Sequence, residues 1–372
     1  MHLNRRPHKI LHLRHEDPPI GCRALITPKT SKELVENGIA INVESSLVRC
    51  FADSEYEAAG ATMVPTYSWP NAPLDHIIIG TKEVQIDRFP LQHLHVYAGH
   101  FYKEQTGSYE KLFYDTPKAV HAGGLDSMMY EYHSSLLGTA LAIKTWAHQL
   151  LHKDVSTMPP MPVYSNSEMV VQEPQEYLRR GVEFAGRLPR TTVVGAQVRC
   201  GSSAVHACHQ LGIPDSQIVR WTQADTARPG PYKEILESDI LLNCIFLSEP
   251  IPPLMDFEAL RLPRNLSVVC DISCNSHAPY SPIPICSGDC TFEKPVLSIP
   301  VQSGPPLSVI SIPYLPSAVP NEACEDAAQV ALPSIKQLGS WDDSPVWKQL
   351  EELVYEKLQT ISETKVAPRA ML

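Results

Sequence analysis

The run Thr192-Val193-Val194-Gly195-Ala196-Gln197-Val198-Arg199-Cys200-Gly201-Ser202-Ser203 has the residue types of a phosphate-binding turn: an apolar strand, a glycine turn and the start of a helix. Such a loop needs glycine at the tight turn and wherever the backbone meets a pyrophosphate, and the helix N–H groups beyond it favour anionic oxygens. Gly195 and Gly201 meet these demands, and Arg199 and Cys200 complete the loop. The middle position of a G-x-x-G-x-x-G spacing is Val198, a branched side chain where close approach is needed. The next strand ends Val219-Arg220-Trp221-Thr222, so a hydroxyl stands where a carboxylate usually takes the ribose hydroxyls. Arg220 and Arg228 lie close by in sequence, suited to a 2′-phosphate. These residues fit an NAD or NADP site, or equally a Rossmann-type domain whose nucleotide site is weakened or vacant.

A second group of charged residues, Arg23, Lys82, His100 and Lys103, lies just beyond predicted strands or in loops. Open α/β sheets bind their ligands there, although each charge taken alone also fits a solvated surface. The runs Gly80-Thr81-Lys82-Glu83 and Gly99-His100-Phe101-Tyr102-Lys103-Glu104-Gln105 single them out. Cys270, Cys274, Cys286 and Cys290 form a C-x3-C pair of pairs, a spacing zinc tolerates. Cys270 belongs to an apolar strand, where a thiol is ordinary packing, so no metal is expected.

The elements that must position these residues alternate. Strand-like segments at 10–14, 39–43, 76–80 and 93–98 are interrupted by a helix that starts near Thr30 or Ser31 and stops at Gly38. A longer helical pattern covers 134–152, followed by a proline-rich linker at 157–164. Strands at 191–194, 218–221, 240–246 and 266–272 then surround a helix over 202–211 stopped by Gly212, and a last helix covers about 345–360 and packs back on the first domain. The rhythm predicts an α/β protein with two Rossmann-like domains and parallel sheets covered by helices. The expected domains are 1–150 plus 320–372 for substrate and catalysis, and 165–319 for the dinucleotide. No repeat of 20–50 residues is visible.

Composition narrows the partners. A net charge of −10 with no Lys/Arg block longer than a pair argues against nucleic acid or an anionic membrane surface. No apolar stretch approaches the about 20 residues that cross a bilayer. The N-terminus has no hydrophobic run of a secretory signal, and 10 cysteines without one read as reduced thiols in a cytoplasmic protein. Small-molecule substrates and a monomer or small homo-oligomer are expected. The 34 prolines predict rigid connections and no long uninterrupted helices.

The chain resembles the lysine-forming saccharopine dehydrogenases of fungi, relatives of alanine dehydrogenase. The likeness runs nearly end to end through His12-Leu13-Arg14, Arg23-Ala24-Leu25-Ile26-Thr27-Pro28, Ile77 to Glu83, His100 to Gln105, Arg199-Cys200-Gly201-Ser202, Gly212-Ile213-Pro214-Asp215, Asn243-Cys244-Ile245, Asp271-Ile272-Ser273, Pro282 to Ile285 and Leu307 to Ile312. The resemblance implies an active site in the cleft between the two domains, and hydride transfer between NAD and a secondary amine, with hydrolysis of the imine to lysine and 2-oxoglutarate. It puts Lys82 and His100 on the family's acid–base pair, Arg23 on a substrate-carboxylate contact and Lys103, with Gln105 beside it, on a further substrate contact. Cys200 falls on the cysteine of the nucleotide loop. A histidine, and a lysine with a lowered pKa, suit proton transfers near neutral pH.

The chain also departs from the family's pattern. Besides Val198 and Thr222, Asn275 stands for the second aspartate of a D-x-S-x-D run, and Pro313 for the aspartate of an I-S-I-D-x-L-P run. The family's active-site glutamate and carboxylate-binding arginine are not found in the stretch His121 to Met129. These losses imply a substrate other than saccharopine. Three readings follow: NAD(P)-linked oxidoreduction of another C–N bond, cofactor-independent imine condensation or ring closure of the Pictet–Spengler kind, and a catalytically silent binding protein.

Overall fold

The computed structural model describes residues 9–17, 22–82, 84, 91–97, 121–123, 130–152, 158–228, 230–245, 247, 251–273, 281–286, 288–350 and 352. The chain divides into two compact units, 1–129 with 320–372, and 130–319. Among the described residues no helix is long and apolar enough to cross a membrane.

In the first unit β1 (Leu11–Leu13), α1 (Pro28–Glu36), β2 (Ile41–Glu44), α2 (Asp53–Ala58), β3 (Thr62–Val64), β4 (Ile77–Gly80), β5 (Leu94–Tyr97) and β6 (His121–Gly123) precede the second unit. The six strands are all parallel, in the order β3-β2-β1-β4-β5-β6. The run Ile77-Ile78-Ile79-Gly80 is buried throughout, as befits a strand inside a parallel sheet. α1 starts where Thr27 and Thr30 cap one another and Pro28 presets the first turn, three or four residues earlier than the cap at Thr30 or Ser31 that the sequence alone suggests. The strand order reverses between β1 and β4, and open α/β sheets bind ligands beyond the carboxyl ends at such a point.

The second unit contains α3 (Glu131–Leu151), α4 (Ser167–Ala185), β7 (Thr191–Val194), α5 (Arg199–Gln210), β8 (Ile218–Trp221), α6 (Gln223–Thr226), α7 (Lys233–Glu237), β9 (Ile240–Asn243), β10 (Val268–Asp271), β11 (Leu297–Ile299) and β12 (Leu307–Ile310). Its sheet runs β11-β12-β10-β9-β7-β8, parallel except for the edge strand β11. Its reversal lies between β7 and β9. Val194, Trp221, Leu241, Val269 and Val309 meet in one buried apolar cluster.

Two expectations differ from the structure. The first division falls at 129/130, ahead of α3 and well before the proline-rich linker. Leu136, Leu137, Leu141 and Trp146 are buried on α3, which packs on α4, α5 and β10 of the second unit. Lys144 on α3 donates to Glu173 on α4 at 2.5 Å, and the same carboxylate accepts Tyr164 Oη at 2.7 Å. Proline also fails to exclude long helices. α4 runs 19 residues through Pro174, because Val170, Pro174, Leu178 and Gly181 form one buried stripe whose packing offsets the lost backbone bond.

α8 (Pro320–Ile335) returns the chain to the first unit. The helix expected over 345–360 is described only near its start. There the buried Trp347 donates its indole N–H to the Ser334 carbonyl at 2.9 Å, fixing that segment to α8.

Candidate functional site

At the reversal point of the first sheet, the strand ends bring together residues that sequence spacing keeps far apart. Arg14 follows β1, and its backbone N–H donates to the Ile79 carbonyl of β4 at 2.9 Å. Its guanidinium crosses the end of β4, where Nη2 donates to the Lys82 carbonyl and also meets Glu16 Oε1 at 3.1 Å. Glu16 in turn accepts the Thr81 N–H at 2.5 Å and the Lys82 N–H. The peptide units around Lys82 are therefore gripped on both sides, N–H by a carboxylate and C=O by a guanidinium.

This bracket requires Gly80. A Cβ there would lie 2.2 Å from Arg14 Nε, so only a residue without one lets the guanidinium pass. Glu16 and Arg14 are buried. Burial raises the Glu16 carboxyl above its ordinary range, opposed by Arg14, the two backbone N–H groups and Arg23. Arg23, itself buried, thus shares the electrostatic neighbourhood of Glu16, while Lys82 is half-buried beside it.

A second carboxylate organises the adjacent strand end. Glu44 closes β2 fully buried and accepts from the backbone N–H groups of His15, Tyr67 and Trp69, from Ser68 Oγ, and bonds His12 Nε2 at 3.2 Å. Burial alone would raise its pKa, but these donors, His12 foremost, hold it below the ordinary carboxylate value. Two loops and β1 are thereby tied to one charge.

The second unit carries the predicted nucleotide turn at its own reversal point. Gly195 adopts φ +81°, and a Cβ there would lie 2.5 Å from Ile245 beyond β9. Its N–H and that of Ala196 donate to the Trp221 carbonyl at 2.9 and 3.0 Å. Gly201 packs the first turn of α5 so tightly onto the loop that a Cβ would stand 1.9 Å from the Gly195 carbonyl oxygen. Val198 is the residue before α5, half exposed, with no side-chain oxygen to cap the helix. The first-turn N–H groups therefore have no side-chain cap, the condition an anionic ligand exploits.

Around this turn, the thiol of Cys200 is hydrogen-bonded to that of Cys244, and Ser135 Oγ donates to the Cys200 carbonyl at 2.9 Å. Arg199 lies on the exposed side, its Nε 3.6 Å from Glu131. Asn243 Nδ2 donates to Asp271 at 2.9 Å and to Ser273 Oγ at 3.1 Å, a buried polar group at the ends of β9 and β10.

At the end of β8 the structure supplies what the sequence reading missed. Thr222 precedes α6, and Asp225 Oδ2 accepts its N–H at 2.8 Å and its Oγ1–H at 3.0 Å. A carboxylate thus does stand beside the strand end, three residues later than expected. The Thr222 N–H holds it below its ordinary pKa. The two arginines considered for a 2′-phosphate are engaged elsewhere. Arg220 pairs with Asp215 at 2.5 Å, and Arg228 pairs with Glu234 at 2.8 Å while lying over Trp221 and Tyr232.

Of the predicted site residues, Arg23 and Lys82 both neighbour Glu16 in the first unit; in the second, Gly195, Val198, Arg199, Cys200 and Gly201 form the turn and the start of α5, while Thr222 and Arg228 lie after β8. His100, Lys103 and Gln105 lie outside the described residues, as do Cys274 and Asn275. The thiols of Cys270, Cys286 and Cys290 each face a backbone carbonyl, those of Gly138, Gly288 and Val309. Arg14, Glu16, Glu44 and Asp225 were not singled out from sequence. The signal for Arg14 and Glu16 was their charge at the end of a short, otherwise buried strand.

Comparison with known proteins places these features in context. The family model for the N-terminal domain of alanine dehydrogenase/PNT matches residues 12–118. The chain is 42% identical over 367 residues to saccharopine dehydrogenase (NAD(+), L-lysine-forming) of Neurospora crassa, covering 95% of this chain and 98% of that one. Proteins of the same name from Schizosaccharomyces pombe and Yarrowia lipolytica are 39% and 37% identical, each over 95% of this chain and 99% and 98% of their own. Among solved structures, an L-alanine dehydrogenase superposes with a TM-score of 0.63 at 15% identity, covering 94% of this chain and 99% of that chain. A transhydrogenase from Sinorhizobium meliloti gives 0.56 at 15% identity over 89% of this chain and 94% of its own. These two share the fold.

Proposed function

Starting from the premise that this chain belongs to the saccharopine dehydrogenase (NAD, L-lysine-forming) family, and so to the NAD-linked oxidoreductases acting on CH–NH bonds, we propose that it interconverts saccharopine with lysine and 2-oxoglutarate using NAD. The observation that carries this reading is the relation to the Neurospora crassa enzyme, 42% identity sustained over 95% of the chain. It favours saccharopine over the different amine that the sequence departures implied, and over cofactor-free condensation or a silent binding role.

The nucleotide turn fits a dinucleotide. Gly195 and Gly201 keep the turn and the close helix–strand approach, and the first-turn N–H groups of α5 would hold the pyrophosphate. Asp225 would face the ribose hydroxyls in place of Thr222, and its negative charge beside the engaged Arg220 and Arg228 favours NAD over NADP. NAD held there would supply the hydride acceptor for oxidation of the carbon beside the secondary amine. The remaining steps are proton transfers: the amine loses its proton, water adds to the imine, and the carbinolamine collapses to amine and ketone. Lys82, fixed by the Arg14–Glu16 bracket, and His100 would move these protons. Arg23 would hold a substrate carboxylate, with Lys103 and Gln105 as further contacts.

The test is direct. Purified protein given saccharopine and NAD should produce NADH, with lysine and 2-oxoglutarate in equal amounts by mass spectrometry. Turnover on the order of 1–10 per second is expected. Absence of NADH with saccharopine, from a protein that still binds NADH, overturns the proposal.

A further inference from the structure

Three cysteines from distant parts of the first unit converge next to Arg23. Cys22 precedes that arginine, Cys50 lies in the loop after β2, and Cys324 sits in the second turn of α8. The Cys50 N–H donates to the Cys22 carbonyl at 2.9 Å, and Asn321 Nδ2 of α8 donates to the Cys50 carbonyl at 3.3 Å. The thiols of Cys50 and Cys324 are hydrogen-bonded to each other. Cys324 Sγ also accepts the backbone N–H of Ala24, the residue after Arg23, at 3.2 Å. Cys324 is fully buried, whereas Cys50 is only half-buried and is the member of the pair nearer solvent.

We propose that Cys50 and Cys324 form a dithiol that a peroxide closes to a disulfide, and that closure loosens the Arg23 turn and with it the grip on the substrate carboxylate. The chemistry balances with one hydroperoxide per pair. One peroxide oxygen passes to the Cys50 sulfur as the O–O bond breaks, leaving a sulfenic acid and one water. The Cys324 sulfur then displaces the hydroxyl from Cys50, forming the S–S bond and a second water. Each sulfur gives up one electron, and the peroxide is reduced to two waters.

The hydrogen bond polarises the pair. Burial raises the Cys324 thiol, but the Cys50 S–H, the Ala24 N–H and the Arg23 guanidinium outweigh it and bring its pKa below the ordinary value, whereas the same hydrogen bond, with burial, raises Cys50. Cys324 is therefore the base that takes the Cys50 proton as the Cys50 sulfur meets the peroxide. Once in a disulfide, the Cys324 sulfur is a poor acceptor, and the Ala24 N–H loses its partner. The link from Ala24 to substrate binding rests on the role proposed above for Arg23; formation of the cross-link does not.

The experiment treats the full-length protein with hydrogen peroxide, blocks remaining thiols by alkylation, and maps peptides by mass spectrometry without reduction. The expected result is a Cys50–Cys324 peptide pair, reversed by dithiothreitol and absent from Cys50→Ser and from Cys324→Ser. Cys50→Ser, at a half-buried position, keeps the test valid if Cys324→Ser folds poorly. The oxidised protein should show a KM for saccharopine raised about fivefold, recovered on reduction, with the dissociation constant of NADH unchanged. Alkylation of both cysteines after peroxide, or a Cys22–Cys50 pair instead, overturns the assignment. Cross-linking with an unaltered KM overturns the connection to Arg23. If the reduced protein lacks saccharopine activity altogether, the proposed function fails while the peptide map still reads the dithiol.

Discussion

Replacing Gly80 by alanine asks whether the Arg14–Glu16 bracket sets the Lys82 turn. The new Cβ would stand 2.2 Å from Arg14 Nε, 2.5 Å from Nη2 and 2.7 Å from Cζ. β4 is held in register by β1 and β5, so the guanidinium has to leave. It then gives up the Lys82 carbonyl and leaves the buried Glu16 without its cation. Removing one partner of a buried pair costs about 3–5 kcal/mol. Glu16 recovers part of this by taking up a proton, at about 1.4 kcal/mol per pKa unit. A net loss of about 2–4 kcal/mol lowers the melting temperature of the first unit by roughly 4–16 °C.

The sign of the pH dependence follows from Glu16. Burial already raises its folded pKa above the unfolded one, and loss of Arg14 raises it further. The contribution of such a group is complete below the unfolded pKa and is lost as pH rises through the folded value. The deficit of Gly80→Ala is therefore small near about pH 4 and grows toward neutrality. Calorimetry across pH measures it, and Glu16→Gln in the same background should flatten the pH dependence. Turnover should fall by up to about a hundredfold through displacement of Lys82. A Gly80→Ala protein that melts and turns over like wild type, or whose deficit grows on acidification, refutes the bracket.

Gly201→Ala puts a methyl 1.9 Å from the Gly195 carbonyl oxygen, where only backbone can yield, and should weaken NADH binding about tenfold or more by fluorescence titration; unchanged affinity would show that the turn is not the nucleotide site. Val198→Gly clears the residue before α5 and should tighten NADH severalfold in the same titration, whereas weaker binding would mean that the valine aids the turn. Glu44 has a folded pKa below its unfolded one, so its stabilisation is present above the ordinary carboxylate range and is lost as pH falls through the folded value. Glu44→Gln should lower stability at neutral pH by about 2–3 kcal/mol and shrink the loss on acidification; a steeper acid limb in the variant melting curves would contradict this.

The alternation of apolar runs and glycine stops carried the fold class, because parallel strands buried on both faces must read as short unbroken apolar segments. The glycine turn before α5 was equally legible at Gly195 and Gly201, since a positive φ and a contact closer than any Cβ permits leave glycine no substitute. Arg23 and Lys82 were visible as charges beyond strand ends. Residues that act only by contact with remote segments were not: Arg14 and Glu16 meet the Lys82 turn, and Cys50 joins Cys324 from 274 positions away. Asp225 was a local signal passed over, since Thr222 and Asp225 have the spacing of a capping box.

The limits of α3 and α4 show the same division. Local pattern announced a helix before the proline-rich linker, and only packing against α4, α5 and β10 assigned it to the second unit. Pro174 argued locally against a long helix, and a stripe buried every three or four residues overrode it. By itself the chain specified which segments are strands, where the backbone must be glycine and which charges stand at strand ends, because sterics and solvent act on neighbouring residues. The partners of those charges were decided by the tertiary structure, because parallel strands adjacent in a sheet come from segments remote in the chain, and a hydrogen bond depends on distance in space.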